Sequence, residues 1–219
     1  MTAPETDVIP FSRLVRERTA RGHSSSESAT FMSDLMTGVG SREDYVALVE
    51  QHYFIYEALE SVQPAMRANP AVAPFLSPAL TRLPALESDL AFLLGDDWRA
   101  RIAPLDITRR YAARILEVAA TWPAGYIAHH YTRYLGDLSG GQYIAKVMAR
   151  RFGFETNGIG FYLFDRIADP GAFKSTYRAQ LDAVGWSEEE RERVIDEVMV
   201  AYDFNTELFV GLAEARDAA

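Results

Sequence analysis

The stretch AHHYTRYLGDLSGGQYI, residues 128–144, reads as a helix that carries glycine at Gly136, Gly140 and Gly141. A glycine inside a helix costs about 1 kcal/mol relative to alanine, so a run of them needs a compensating reason. Gly136 and Gly140 are four apart and share one helical face. With no side chains there, backbone can approach something flat and bulky. A tight helix crossing or a turn between two helices would use the same glycines, and this segment alone leaves both readings open. Upstream, Pro123 suits the first turn of a helix, which is expected to run to about Phe152.

Working outward, helix punctuation is frequent and strand signals are weak. Pro10 opens a helix with Phe11, Val15, Thr19 and His23 on one face. Ser41 with Asp44 forms a capping-box variant ahead of Tyr45, Leu48, Val49, His52, Tyr56 and Leu59. The proline-broken segment from Pro64 to Pro84 is a connection, with Ser77-Pro78 starting a helix towards Gly95. Asp106 is expected to cap a helix bearing Ile107, Tyr111, Ile115 and Leu116. Asp169-Pro170 starts another that Gly185 stops, and Ser187 with Glu190 reads as a capping box for the last. The expectation is one all-α domain over 1–219, with 1–9 and 212–219 as flexible tails.

Bulk properties narrow the function. A chain of 219 residues with 48% hydrophobic content builds one sizeable core. It has no cysteine, which excludes disulfides, thiolate metal sites and cysteine nucleophiles. The opening MTAPETDVIPF lacks the basic and apolar regions of a signal peptide. No apolar run approaches membrane-spanning length, and the end GLAEARDAA is polar. A net charge of −9 argues against a nucleic-acid partner. These features lead to the expectation of a cytoplasmic, monomeric protein without a membrane anchor.

A second signal lies near the N-terminus, where His23 and Glu27 stand one helical turn apart before the apolar step Phe31-Met32. A lone histidine is more commonly a surface or packing group. Here, however, the Glu27 carboxylate is spaced to accept the ring's second N–H and fix its tautomer. Together with RYLGDLSGG at 133–141, KSTYR at 174–178 and the Tyr202–Phe209 region, these residues resemble the soluble bacterial haem oxygenases, in the family's order.

That resemblance implies a haem oxygenase-like helical fold, with haem b held between a proximal helix and a glycine-kinked distal helix. It makes His23 the axial metal ligand and Glu27 its hydrogen-bonding partner. Arg16, Tyr131, Lys174 and Arg178 fall on the family's propionate-contacting positions, Arg16 where lysine is common. Gly136 and Gly140 would press backbone towards bound O2 and direct it at one meso carbon. Asp137 would order a proton-delivering water chain, which Arg133 and Tyr53 extend. The implied reaction consumes haem, O2 and electrons and yields biliverdin, as the alpha isomer, with ferrous iron and carbon monoxide.

The chain has neither a dinucleotide-binding glycine motif nor an iron–sulfur cysteine set, so electrons are expected from a separate reductase or ferredoxin. Arg16, Arg21, Lys146, Arg150 and Arg151 are candidates for its docking patch. His129 and His130 point about 100° apart on a helix and are expected in structural or hydrogen-bonding roles. His52 is expected to pack between helices, Tyr202 and Phe204 to line the core or pocket, and Asn205 to hydrogen-bond near the ligand helix. The rival reading is a non-catalytic haem-binding or haem-storage protein, which would need His23 and the rim cations but neither Asp137 nor the glycines. A di-iron oxidase would need paired Glu-x-x-His motifs, which are absent.

Overall fold

The computed structural model describes residues 9–218, among which helices account for nearly all regular structure. Helix α1 (Phe11–Arg18) follows Pro10, and α2 (Ala20–Glu27) follows a break at Thr19, where φ is −100° and ψ 4°. The expected single face is therefore split: Phe11, Val15 and Thr19 are buried, while the His23 side chain is half exposed. Helix α3 (Thr30–Thr37) ends on Gly38, whose φ of 98° is the left-handed conformation glycine tolerates. Helix α4 (Arg42–Ser61) begins with a complete capping box, Ser41 and Asp44 each bonding the other's backbone N–H.

The connection after α4 holds a short α5 (Gln63–Met66) and two 3-10 turns. Ser77-Pro78 starts only the second of these turns, and α6 (Leu83–Leu94) begins later than expected. The chain turns extended at Thr81, and the Arg82 guanidinium ties it down by donating to the carbonyls of Leu80, Phe161 and Leu163. After α7 (Trp98–Arg101), α8 (Asp106–Thr121) is preceded by Leu105, so Asp106 lies in the first turn instead of capping it. Leu116 is exposed, because the buried stripe continues through Val118 and Ala119.

Helix α9 (Pro123–His130) leads without a loop into α10 (Gln142–Phe152). Between them the interruption foreseen as a glycine kink takes the form of two π-helical turns, Tyr131–Leu135 and Asp137–Gly141. Such wider turns are frequent at functional sites. Helix α11 (Pro170–Ala183) is capped by Asp169 and stops at extended Val184, one residue before Gly185. Helix α12 (Glu188–Asp217) is capped by Ser187, but the Glu190 carboxylate accepts from Trp122 Nε1 instead of closing the box. The expected tail from 212 is helical to Asp217, with Leu212 buried and Arg216 paired to Asp34. Residues 1–8 of the other expected tail lie outside the described residues.

Two packing layers follow. Helix α4 lies against α6 and α8, and α12 lies against α2, α3, α8 and α9. The distal segment between α9 and α10 thus sits between two long helices, its polar groups facing both. Asp89 on α6 is fully buried, and its carboxylate accepts backbone N–H bonds from Gly158, Gly160 and Phe161 at 2.7, 3.0 and 2.8 Å. That contact fixes the loop carrying Phe161 and Tyr162. No helix among the described residues is long and apolar enough to cross a membrane.

Candidate active site

A cleft of about 270 Å³ opens between α1–α2 and the π-helical segment, lined by Arg16, His23, Tyr131, Gly136, Arg178 and Tyr202 among others. Its proximal wall is set by a close approach. A Cβ on Gly22 would lie 3.1 Å from Met199 Sδ and from Tyr202 Cβ, so glycine lets α2 settle on α12. His23 then presents its ring edge-on to Tyr202, with centroids 5.7 Å apart. Its Nδ1 is 3.3 Å from a Glu27 carboxylate oxygen, which leaves Nε2 as the ring nitrogen not engaged by Glu27.

On the distal wall, bare backbone at Gly136 lies among Thr132, Leu135 and Ser139. A Cβ added at Gly136 or Gly140 would meet nothing within 4 Å, whereas one at Gly141 would strike Tyr162 Cδ1 at 2.6 Å. The glycine run therefore has two causes: Gly141 admits a packed ring, while Gly136 and Gly140 keep space clear. Around the rim, Arg16, Tyr131 and Arg178 line the cleft, and Lys174 Nζ reaches it by donating to Ser139 Oγ at 3.1 Å. Burial pushes the Tyr131 hydroxyl's pKa up, and the charges of Arg178 and Arg16 oppose that shift.

Behind the distal wall is a buried polar cluster. Arg133 Nη1 donates to Asn205 Oδ1 at 2.9 Å, and Nη2 lies 3.4 Å from Asp137 Oδ2, an ion pair not aligned as a hydrogen bond. The Tyr56 hydroxyl donates to Asp137. Burial raises the pKa of the Asp137 carboxyl, while Arg133 and the Tyr56 bond pull it down. Arg133 Nε and the hydroxyls of Tyr111 and Tyr162 are buried without partners among the described residues. Buried polar atoms of this kind are normally satisfied by internal water.

Of the expected site residues, the structure brings His23 together with Glu27, sets Arg16, Tyr131, Lys174 and Arg178 around one cleft, and joins Arg133 to Asp137. Tyr53 is not brought to Asp137. Its ring packs edge-on against Trp98 at 5.0 Å and its hydroxyl donates to Glu57, because it sits almost a turn earlier on α4. Tyr56, read from sequence only as a core position, is the tyrosine that bonds Asp137. A buried tyrosine hydroxyl needs a partner, which was the available signal. Arg151 does not belong to a free basic patch, since it donates to the carbonyls of Leu35, Gly38 and Gly40.

Both histidines of the pair are buried and hydrogen-bonded. His129 Nε2 bonds Glu197 at 2.8 Å, and Arg114 grips the same carboxylate through two nitrogens. Burial pushes Glu197 up, but its bonds to His129 and Arg114 prevail and hold it at about 2. His130 Nδ1 bonds the Tyr177 hydroxyl at 2.9 Å, and burial lowers its pKa to about 3, so it stays neutral. Phe204 stacks on Tyr111, and Asn205 serves the distal cluster through Arg133.

A histidine with one free nitrogen, a facing segment left open at its glycines and a cationic rim suit a planar iron macrocycle bearing carboxylates. The family model described as Heme oxygenase matches residues 9–210. The chain belongs to the haem oxygenase family. It is 36% identical over 195 residues to Heme oxygenase 1 of Synechocystis, covering 89% of this chain and 81% of that protein. It is also 36% identical over 219 residues to human Heme oxygenase 1, covering 98% and 76% respectively. The crystal structure of Synechocystis heme oxygenase-1 in complex with heme superposes with a TM-score of 0.89 at 34% identity, over 96% of this chain and 97% of that one. Synechocystis heme oxygenase-2 with heme and NO gives 0.91 at 31% identity, over 95% and 87%. As a member of the haem oxygenase family the chain is an enzyme of oxidative haem cleavage, and its helical arrangement is that of the fold.

Proposed function

We propose that this enzyme binds haem b through His23 Nε2 and cleaves it with O2 to biliverdin, ferrous iron and carbon monoxide. Electrons come from a separate reductase or ferredoxin. The observation that carries the reading is the opposition, across one cleft, of His23 and the open glycine wall. Bound haem supplies both the iron that activates O2 and the ring that is cut. Every other task falls to the chain.

Glu27, whose carboxylate lies 3.3 Å from His23 Nδ1, holds the imidazole turned with Nε2 towards the cleft. Arg16, Tyr131, Lys174 and Arg178 bind the propionates and so fix the in-plane orientation. The backbone at Gly136 and Gly140 excludes bulky groups from the distal side and biases attack towards one meso edge, the alpha edge in this reading. Asp137 accepts from Tyr56 and is flanked by Arg133, an arrangement suited to holding a water that delivers protons into the cleft.

The test is to add haem to the purified protein, supply a reductant in air with catalase present, and follow visible spectra and carbon monoxide. Loss of the Soret band with stoichiometric biliverdin and carbon monoxide supports the reading. A stable bound spectrum under a competent reductant would instead favour a haem-storage role. His23→Ala should abolish turnover and alter the axial-ligand spectrum, and an unchanged spectrum with full activity would remove His23 as ligand.

A further inference from the structure

Helix α1 begins without a side-chain cap of its own. Pro10 precedes it and offers no bond to the backbone N–H groups of the first turn. That bond comes from another helix: Asp182 of α11 accepts from Ser12 N at 2.7 Å and from Ser12 Oγ at 3.0 Å. For α11 itself the carboxylate is badly placed. It stands in the last turn, where the helix dipole disfavours negative charge, and no basic residue in that turn offsets it. At the first turn of α1 the same charge is favourable. Asp182 therefore serves the neighbouring helix, and its partner Ser12 is buried.

This clamp stands one helical turn from the cleft. Arg16 follows Ser12 by four residues on α1, and Arg178 precedes Asp182 by four on α11, each on the same face as its clamp residue. Both arginines line the cleft, and the charges of both act on the Tyr131 hydroxyl. The two helices therefore run antiparallel here, with each arginine about 6 Å along its axis from the clamp. Apolar packing holds the same corner. Phe11 sits edge-on to Trp186 with centroids 5.8 Å apart, and the Arg191 guanidinium lies 5.6 Å from the Phe11 ring. At its far end α1 breaks at Thr19, before the turn that carries His23. Arg16 thus rides on a short arm pinned at its start by Asp182.

We propose that Asp182 and Ser12 are positioning residues for haem: by pinning α1 to α11 they set the spacing of Arg16 and Arg178, and with it the in-plane seat of the macrocycle. The proposal rests on the reading that these arginines bind the haem carboxylates. Neither clamp residue lines the cleft, so their effect is carried by geometry. Two cations at a fixed separation match one placement of two carboxylates, whereas an arm free to shift matches several. Loss of the clamp loosens haem and blurs which meso edge faces the glycines, while His23 stays on the iron.

The test is haem titration and biliverdin isomer analysis of the full chain. Asp182→Ala should keep the parental axial-ligand spectrum, bind haem about tenfold more weakly and release about a tenth of its product as a second biliverdin isomer. Asp182→Asn keeps an acceptor for Ser12 N and should recover most of both. Ser41→Ala, which uncaps α4 at a helix start outside the cleft, is the control: its Tm should fall while its isomer stays parental. The same isomer shift in Ser41→Ala would reduce the clamp to a fold effect and overturn the proposal. So would parental affinity and isomer in Asp182→Ala while Arg16→Ala or Arg178→Ala is impaired, which leaves the carboxylate reading intact. Parental behaviour of both arginine variants would sink that reading and this proposal with it. Arg16→Ala should also weaken haem by a smaller factor in the Asp182→Ala background than in the parent, and equal factors overturn the proposal. If Asp182→Ala does not fold, Ser12→Ala, which loses only the hydroxyl bond, decides by the same two readouts.

Discussion

Replacing Gly136 by alanine should make the haem-free protein more stable and the enzyme worse. At this position φ is −61° and ψ −54°, ordinary helical values that alanine adopts without strain. The new methyl would meet no atom within 4 Å. Gly→Ala in a helix then contributes about 1 kcal/mol, or about 2–4 °C in Tm for a domain of this size. The methyl would project into the volume reserved for a flat ligand, where overpacking costs about 1–3 kcal/mol. Haem affinity should accordingly fall by about tenfold to a hundredfold. Thermal denaturation without haem and a haem titration read the two effects separately. Gly141→Ala is the control: its methyl would sit 2.6 Å from Tyr162 Cδ1, so the haem-free protein should lose stability. A lower Tm for Gly136→Ala, or a higher one with parental haem affinity, would refute the argument that this glycine serves the cleft and not the fold.

Three further outcomes follow from the same geometry. Tyr56→Phe should lower biliverdin yield several-fold while Tyr53→Phe leaves it unchanged, and equal effects would put both tyrosines outside the proton path. Glu197 is held near 2 against its ordinary 4.5, worth about 3 kcal/mol. That stability is present above pH 4.5 and lost as pH falls towards 2, so Glu197→Gln should be less stable at pH 7 and flatten the acid-unfolding curve there. A denaturation series from pH 7 to pH 2.5 checks this, and an unaltered curve would contradict it. Asp89→Asn should cost about 2–3 kcal/mol, since one amide cannot accept all three N–H bonds as the carboxylate does. Faster hydrogen exchange at Gly158, Gly160 and Phe161 is the local sign of that loss.

What the sequence determined by itself was the set of local decisions. Ser41 with Asp44, Asp169 and Ser187 cap helices because their side chains bond backbone N–H groups three residues away, a contact that needs no tertiary partner. The His23–Glu27 pair and the facing of Gly136 and Gly140 likewise follow from helical spacing alone. Tertiary structure decided whatever depends on groups distant in the chain. It chose Tyr56 over Tyr53 for Asp137, because the meeting of α4 with the distal segment fixes which turn faces inward. It converted the foreseen glycine kink into two π turns and gave Gly141 a separate reason in the Tyr162 ring. It also joined Asp89 to a loop some seventy residues on, and His129 to Glu197. Periodicity records which face of a helix is apolar, but which buried polar atoms meet depends on how the helices cross, and only the packed chain sets that.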